Sequence, residues 1–280
     1  MIDRLDSLSE RYSAILCDVW GVVHNGVNAF GEASEALRRM RRQGKAVVLI
    51  TNAPRPHESV EEQLRRLDVP DDAWDAVVTS GDVTRELVRE APRRIFHIGP
   101  ERDMILYDGL DIELVEDFEA GAVVCTGLYD DETETPEDYA ELLQRLRARD
   151  LAMICANPDI VVERGDRMIF CAGALARDYG LLGGRTLIAG KPHHPIYEAA
   201  LEAAGKALGR DVKPEEALAI GDGVLTDVKG ADAAGINVLF VTEGIHHIEY
   251  AGNGGPDPQR LATFLEKHGH RPVAAIQKLR

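Results

Sequence analysis

The sequence predicts an α/β protein: a doubly wound, parallel-sheet (Rossmann-like) core interrupted by a second, inserted α/β domain. Three observations predict it. Short, wholly apolar runs recur, as at 14–17, 46–50 and 217–220, and unbroken runs of this length suit strands buried on both faces. Stretches of helical period lie between them, which gives the β-α-β-α order of right-handed crossovers and a parallel sheet. The runs also end on polar residues, Asp18, Thr51-Asn52 and Asp222 among them. In an open parallel sheet the carboxyl ends of the strands are where ligands bind.

Taken in order, residues 1–12 predict a short lead-in helix, and 13–18 a buried strand closed by Asp18. A loop follows from Gly21. A helix over 31–42 carries Ala33, Ala36, Leu37 and Met40 at helical spacing, and Gln43-Gly44-Lys45 is a helix stop. The second strand, 46–50, ends in Thr51-Asn52-Ala53-Pro54-Arg55. A helix over 56–67, a strand over 75–80 and a helix over 81–90 continue the alternation.

The pattern then changes. Strands are predicted at 94–99, 121–126 and 151–155, with a helix over 135–150. Asn157-Pro158-Asp159 is a break, 160–162 and 167–169 read as a hairpin, and 173–179 as a helix. After Gly183-Gly184 the first pattern resumes: a strand at 186–189, Lys191-Pro192 leading into a helix over 194–207, and a strand at 217–222. A helix over 225–234, a strand at 236–241 and a helix near 258–268 complete it. The expected division is a core over 1–85 and 183–280 with the insertion over 86–182.

Composition narrows the partners. Lys and Arg number 32 against 48 Asp and Glu, a net charge of −16. Nucleic acid and anionic membrane both require a positive footprint, so neither is an expected partner. The balance suits a site that holds a cation. Cys17, Cys125, Cys155 and Cys171 stand far apart with no CxxC spacing, which reads as buried thiols in a reducing compartment. The first residues carry no signal-peptide pattern and no run reaches the length of a membrane span. The expected location is cytoplasmic.

Four strand ends supply complementary chemistry. Asp18 offers a carboxylate nucleophile, Thr51 and Asn52 hydroxyl and amide donors, Lys191 a cation, and Asp222 with Asp227 two further carboxylates. That set suits phosphoryl transfer, in which a metal and fixed donors neutralise charge on the phosphoryl oxygens. Hard oxygen ligands in this number favour Mg²⁺. Each feature has a plainer reading alone: Asp222 and Asp227 as caps of a turn and a helix, Lys191 as a surface lysine, Thr51-Asn52 as a turn. Their coincidence on strand ends favours the chemistry.

On these residues the chain resembles the haloacid dehalogenase (HAD) superfamily of aspartyl-phosphate phosphatases, subfamily IIA, the NagD-like group. The resemblance runs over nearly the whole length. It rests on Asp18-Val19-Trp20-Gly21-Val22-Val23, Ile50-Thr51-Asn52-Ala53-Pro54-Arg55, Asn157-Pro158-Asp159, Gly190-Lys191-Pro192, and Gly221-Asp222-Gly223-Val224-Leu225-Thr226-Asp227. It implies that the insertion is a C2-type cap. It also implies that Asp18 takes the phosphoryl group and ligates Mg²⁺, and that Thr51 and Asn52 bind phosphate. Lys191 holds Asp18 and the phosphoryl oxygens, Asp222 ligates the metal and Asp227 supports that shell. The implied substrate is a small phosphorylated metabolite, and a homodimer through the cap is the group's habit.

One position departs from the family's pattern. Two residues after the nucleophile the pattern has a second Asp, which protonates the leaving alkoxide and later activates water. Here it is Trp20. Its backbone carbonyl can still ligate a metal, but its side chain cannot exchange that proton. His24, in the same loop, is a candidate acid–base surrogate. Two readings therefore stand beside the phosphatase: a non-catalytic protein that binds a phosphorylated metabolite, and a metal-free dehalogenation, against which Asp222 and Asp227 argue.

Overall fold

The computed structural model describes residues 1–252 and 254–280. The chain opens with α1 (Asp6–Ser9), β1 (Ala14–Asp18), α2 (Gly31–Arg42), β2 (Ala46–Thr51), α3 (His57–Arg66), β3 (Ala76–Thr79) and α4 (Ser80–Glu90). Then come β4 (Arg94–Ile98), β5 (Glu113–Leu114), β6 (Ala122–Cys125), α5 (Ala140–Ala148), β7 (Ala152–Cys155), β8 (Val161–Arg164) and β9 (Arg167–Phe170). They are followed by α6 (Ala172–Leu181), β10 (Thr186–Ile188), α7 (His194–Leu208), β11 (Ala217–Gly221), α8 (Lys229–Ala233) and β12 (Asn237–Val241). The chain closes with β13 (Ala251–Gly252), β14 (Gly255–Pro256), α9 (Pro258–His268) and β15 (Ala274–Ile276). Two compact units result, one of Met1–Thr51, Glu61–Val78 and Ile196–Arg280, the other of Asn52–Val60 and Thr79–Pro195. No helix among the described residues is long and apolar enough to cross a membrane.

The first unit is built on a six-stranded sheet of order β15-β12-β11-β1-β2-β3. The β1–β2, β1–β11, β11–β12 and β12–β15 pairings are parallel. Every residue of β1, β2 and β11 is buried, which is why these strands read as unbroken apolar runs. Ala33, Ala36, Leu37 and Met40 of α2 are buried together, the helical face that the sequence spacing predicts. Each fully buried side chain of the size of Leu37 or Met40 contributes about 1.5–3 kcal/mol. From β1 the chain works outward through β2 to β3. From β11 it works outward the other way, through β12 to β15. The winding therefore reverses between β1 and β11, the position where such sheets open a ligand crevice at their carboxyl edge. The register pairs Cys17 with Ile220, so Asp18 and Asp222 emerge on that edge.

The second unit has a five-stranded sheet of order β10-β7-β6-β4-β5, parallel throughout. Strand residues alternate between two cores. Val123, Cys125, Met153 and Cys155 face one with Leu143, Leu175 and Tyr179. Val124 and Ile154 face the other with Val88, Ile95 and Leu106. Thr79 begins α4 with a reciprocal capping box to Asp82.

Several elements differ from the sequence prediction. The strand at Thr186–Ile188 belongs to the second sheet, where Thr186 pairs with Met153 and Ile188 with Cys155; the sequence pattern assigns it to the resumed core. Gly183-Gly184 is the end of α6 rather than a boundary: Gly183, at φ +80°, turns the chain, and Gly184 N–H donates to the Tyr179 carbonyl at 2.9 Å. The helix expected over 225–234 starts as a π-helical turn over Val224–Val228, and α8 begins only at Lys229. The helix expected over 135–150 enters through a 3₁₀ turn at Pro136–Tyr139. Short connections at Glu101–Tyr107, β5 and β15 carry too few residues for a period to show.

Candidate active site

The first unit gathers three carboxylates at its switch point. Asp18 ends β1. Asp222 follows β11, and its Oδ2 accepts the Ile245 N–H at 2.9 Å. Asp227 lies in the π-helical turn, and its Oδ2 accepts the Gly223 N–H at 3.0 Å. That turn is closed by Val228 N–H to the Gly223 carbonyl at 3.1 Å. Tyr197 Oη donates to the carbonyls of Thr226 and Asp227 at 3.3 and 3.2 Å. Glycine is required on both sides of Asp222: a Cβ on Gly21 or on Gly244 would run into its carboxylate. Gly21 also sits at φ +81°, where an L side chain is strained.

Asp18, Asp222 and Asp227 are only 5 %, 7 % and 4 % exposed. One oxygen from each lies within 4.8 Å of the others. Like charges this close and this buried repel one another strongly without a compensating cation. An all-oxygen, acidic, buried donor set of this kind fits a hard divalent cation. Thr51 closes β2, beside β1 in the register that pairs Asp18 with Ile50, and is buried.

The loop after Asp18 folds on itself. Gly21 N–H donates to the His24 carbonyl at 2.8 Å, and Phe30 N–H to the Val23 carbonyl at 2.8 Å. Trp20 is half-buried, and its ring meets the His24 ring edge-on at 5.0 Å. His24 is fully buried, and its Nδ1 accepts the Gly26 N–H at 2.9 Å. Burial holds its imidazole down to about 4, so at neutral pH the ring is uncharged and carries its proton on Nε2. These contacts make His24 the internal pin of the loop.

The second unit holds Asn52 and Lys191 together. Asn52 Oδ1 accepts the Lys191 N–H at 2.7 Å. Its Nδ2 donates to the Lys191 carbonyl at 3.2 Å and to Asp159 Oδ1 at 2.9 Å. The Asp159 N–H in turn donates to Asn157 Oδ1 at 3.1 Å, so Asn157-Pro158-Asp159 is a turn that presents its last carboxylate to Asn52. Another acidic group with a histidine, His57, Glu58 and Asp82, is a helix-start arrangement: Asp82 accepts from the His57 and Thr79 main chains and from the Thr79 hydroxyl.

The sequence pattern names Asp18, Asp222, Asp227, Thr51, Asn52 and Lys191. The structure brings the three Asp together in one unit and Asn52 to Lys191 in the other. Sequence reasoning missed the roles of Gly21 and Gly244, which leave room, of Ile245, which acts through its main-chain N–H, and of Tyr197, whose hydroxyl holds two main-chain carbonyls, and the link from Asn52 to Asp159. Gly21 and Gly244 leave a trace, each as a glycine shortly after an apolar strand.

A doubly wound sheet whose switch point carries buried carboxylates is the arrangement of a HAD-like hydrolase, and comparison with known proteins agrees. Residues 15–113 match the haloacid dehalogenase-like hydrolase family, and residues 188–267 match the HAD-hydrolase-like family. A solved haloacid dehalogenase-like hydrolase from Brucella suis 1330 shares 60% identity over 100% of both chains, with a TM-score of 0.91. The chain therefore belongs to the haloacid dehalogenase-like hydrolases. The 5'-nucleotidase YutF of Bacillus subtilis (strain 168) is 26% identical over 261 residues, 91% of this chain and 97% of its own. NagD from E. coli K-12 shares the fold, with a TM-score of 0.65 at 20% identity over 95% of this chain and 96% of its own.

Proposed function

We propose that the protein is a Mg²⁺-dependent phosphatase of a small phosphorylated metabolite, with an inserted C2-type cap that selects the substrate. The observation that carries the reading is the trio of buried carboxylates, Asp18, Asp222 and Asp227, at the switch point of the first sheet. Asp18 attacks phosphorus, the P–O ester bond breaks, and the phosphoryl group rests on Asp18 as an acyl phosphate. Water then hydrolyses that acyl phosphate and regenerates the carboxylate. Asp18, Asp222 and the Trp20 carbonyl would hold the Mg²⁺, with Asp227 in support; bound there, the ion supplies positive charge against the phosphoryl oxygens. Thr51 and Lys191 take the roles of phosphate donor and cation that the family resemblance gives them. The leaving alkoxide has no carboxylic acid to protonate it, since that position is Trp20. Turnover is accordingly slow for alkyl esters.

Trp20 also favours a second reading, a protein that binds a phosphorylated metabolite without turning it over. One experiment separates them: incubation with a panel of phosphate esters and Mg²⁺, following phosphate release by the wild type and by Asp18→Asn. The expected result is release by the wild type that Asp18→Asn abolishes. Binding without release supports the second reading, and release that persists in Asp18→Asn overturns the assignment of the nucleophile.

A further inference from the structure

We infer that the Asn52 side chain is a positioning residue for Lys191, held by Asp159, and is not itself a phosphate donor. The inference deepens the reading above and rests on it for the role of Lys191. A side-chain amide has two N–H donors. In Asn52 both are committed, one to Asp159 Oδ1 at 2.9 Å and the other to the Lys191 carbonyl at 3.2 Å. Its oxygen faces the Lys191 N–H at 2.7 Å, and that donor fixes which way round the amide lies. Asn52 therefore grips both main-chain polar groups of Lys191, as a neighbouring strand would.

The surroundings leave the amide no other pose. Asn52 is buried at 4 % exposure and Lys191 at 3 %. A Cβ on Gly190 would meet Asn52 Oδ1, Ser80 Oγ and Pro158 Cδ, so glycine there lets the turn that carries Lys191 approach the clasp. On the other side Gly173 has no room for a Cβ against the Pro158 and Asp159 carbonyls, which seats the turn that carries Asp159. Three separate stretches of chain, at Asn52, Asn157-Pro158-Asp159 and Gly190-Lys191, thus lock one lysine. A residue whose charge must meet a phosphoryl group is useful only when its backbone is fixed to a fraction of an ångström.

The test has two arms. In the first, lysines of the folded protein are acetylated with limiting reagent and the rates read peptide by peptide. In Asn52→Ala and in Asp159→Ala, Lys191 is expected to react about fivefold faster or more, equivalent to about 1 kcal/mol of lost ordering, with Lys45 and Lys206 unchanged. A purely structural defect accelerates all lysines together, and an unchanged Lys191 rate in both variants overturns the clasp. In the second arm, kcat with 4-nitrophenyl phosphate is compared for Asn52→Ala, Lys191→Ala and the double variant. If Asn52 acts through Lys191, the double variant matches Lys191→Ala to within about twofold; losses that multiply show that Asn52 acts on its own and overturn the inference. Where Asn52→Ala fails to fold, Asp159→Ala serves in both arms, since it removes only the acceptor of one Asn52 N–H. A wild type that releases no phosphate, with Lys191 labelling changed as expected, would sink the phosphatase reading and leave the clasp standing.

Discussion

On the proposed phosphatase reading, residue 20 sets how fast the chemistry runs. An indole offers one N–H donor and no proton that exchanges near neutral pH, so Trp20 cannot serve the leaving group. His24 does not replace it: its Nδ1 is engaged by Gly26 and burial keeps its ring neutral. General acid–base assistance is worth about 10²–10⁴-fold, and that factor falls on alkyl esters, whose leaving alkoxide needs a proton. A 4-nitrophenolate leaves without one. Trp20→Asp is therefore expected to raise kcat for an alkyl phosphate by about 10²-fold, the low end of that range, and to change 4-nitrophenyl phosphate far less. Loss of the ring contact with His24 costs about 1 kcal/mol of stability, which thermal unfolding reads separately. Equal gains on both esters, or none, in steady-state phosphate release would remove proton transfer as the reason for slow turnover.

At the scale of elements, the site is made by chain that stops being regular. Asp18 stands where β1 gives way to a folded loop, Asp227 in a π-helical turn, and Asp222 between two glycines under the Ile245 N–H. The carboxylates themselves were legible in the sequence because apolar runs end on them. Their supports were not, because a main-chain N–H or an absent Cβ has no residue-type signature, and Tyr197 lies far away in sequence. On the proposed reading the same geometry would make a bound divalent cation a stabiliser. Three buried like charges destabilise the folded chain, so an ion that binds only the native state stabilises it by RT ln(1 + [L]/Kd), about 2.7 kcal/mol at a hundredfold excess over Kd. For a chain of this size that is a rise of about 5–10 °C in unfolding temperature. Scanning fluorimetry with and without MgCl₂ is expected to show this rise in the wild type. Asp222→Asn is expected to unfold at a higher temperature than the wild type without Mg²⁺, and to gain little from adding it. An equal Mg²⁺ shift in both proteins would remove Asp222 from the ion's ligands.

Across the whole molecule the two units repeat one plan, a parallel sheet with a reversal in its winding. In the second sheet β5 and β6 flank β4 on opposite sides, and the reversal brings the ends of β4 and β6 together, where His97 Nε2 meets Thr126 Oγ1 at 3.0 Å. The sequence marks the inner strands of both sheets but not the edge strands β5 and β15, and it misassigns β10, because an edge strand of three residues carries no mark of which sheet receives it. Each unit also holds a histidine near its carboxyl edge, His24 buried and His97 half-buried, and these contribute to the response to acid. Burial lowers both His24 and His97 to about 4, whereas an unfolded histidine titrates near 6.5. Between those values the unfolded chain binds protons that the native chain cannot, so stability rises with pH across the interval and is lost as pH falls through it. The difference of about 2.5 pH units corresponds to about 3 kcal/mol for each histidine as an upper figure. His97→Gln keeps a hydrogen-bonding partner for Thr126 and removes the titration. Thermal unfolding from pH 7.5 down to pH 4.5 is expected to show a shallower acid decline in His97→Gln than in the wild type, with the two alike above pH 7 apart from a constant offset. Parallel declines in the two proteins would mean that His97 gains its proton without loss of the fold.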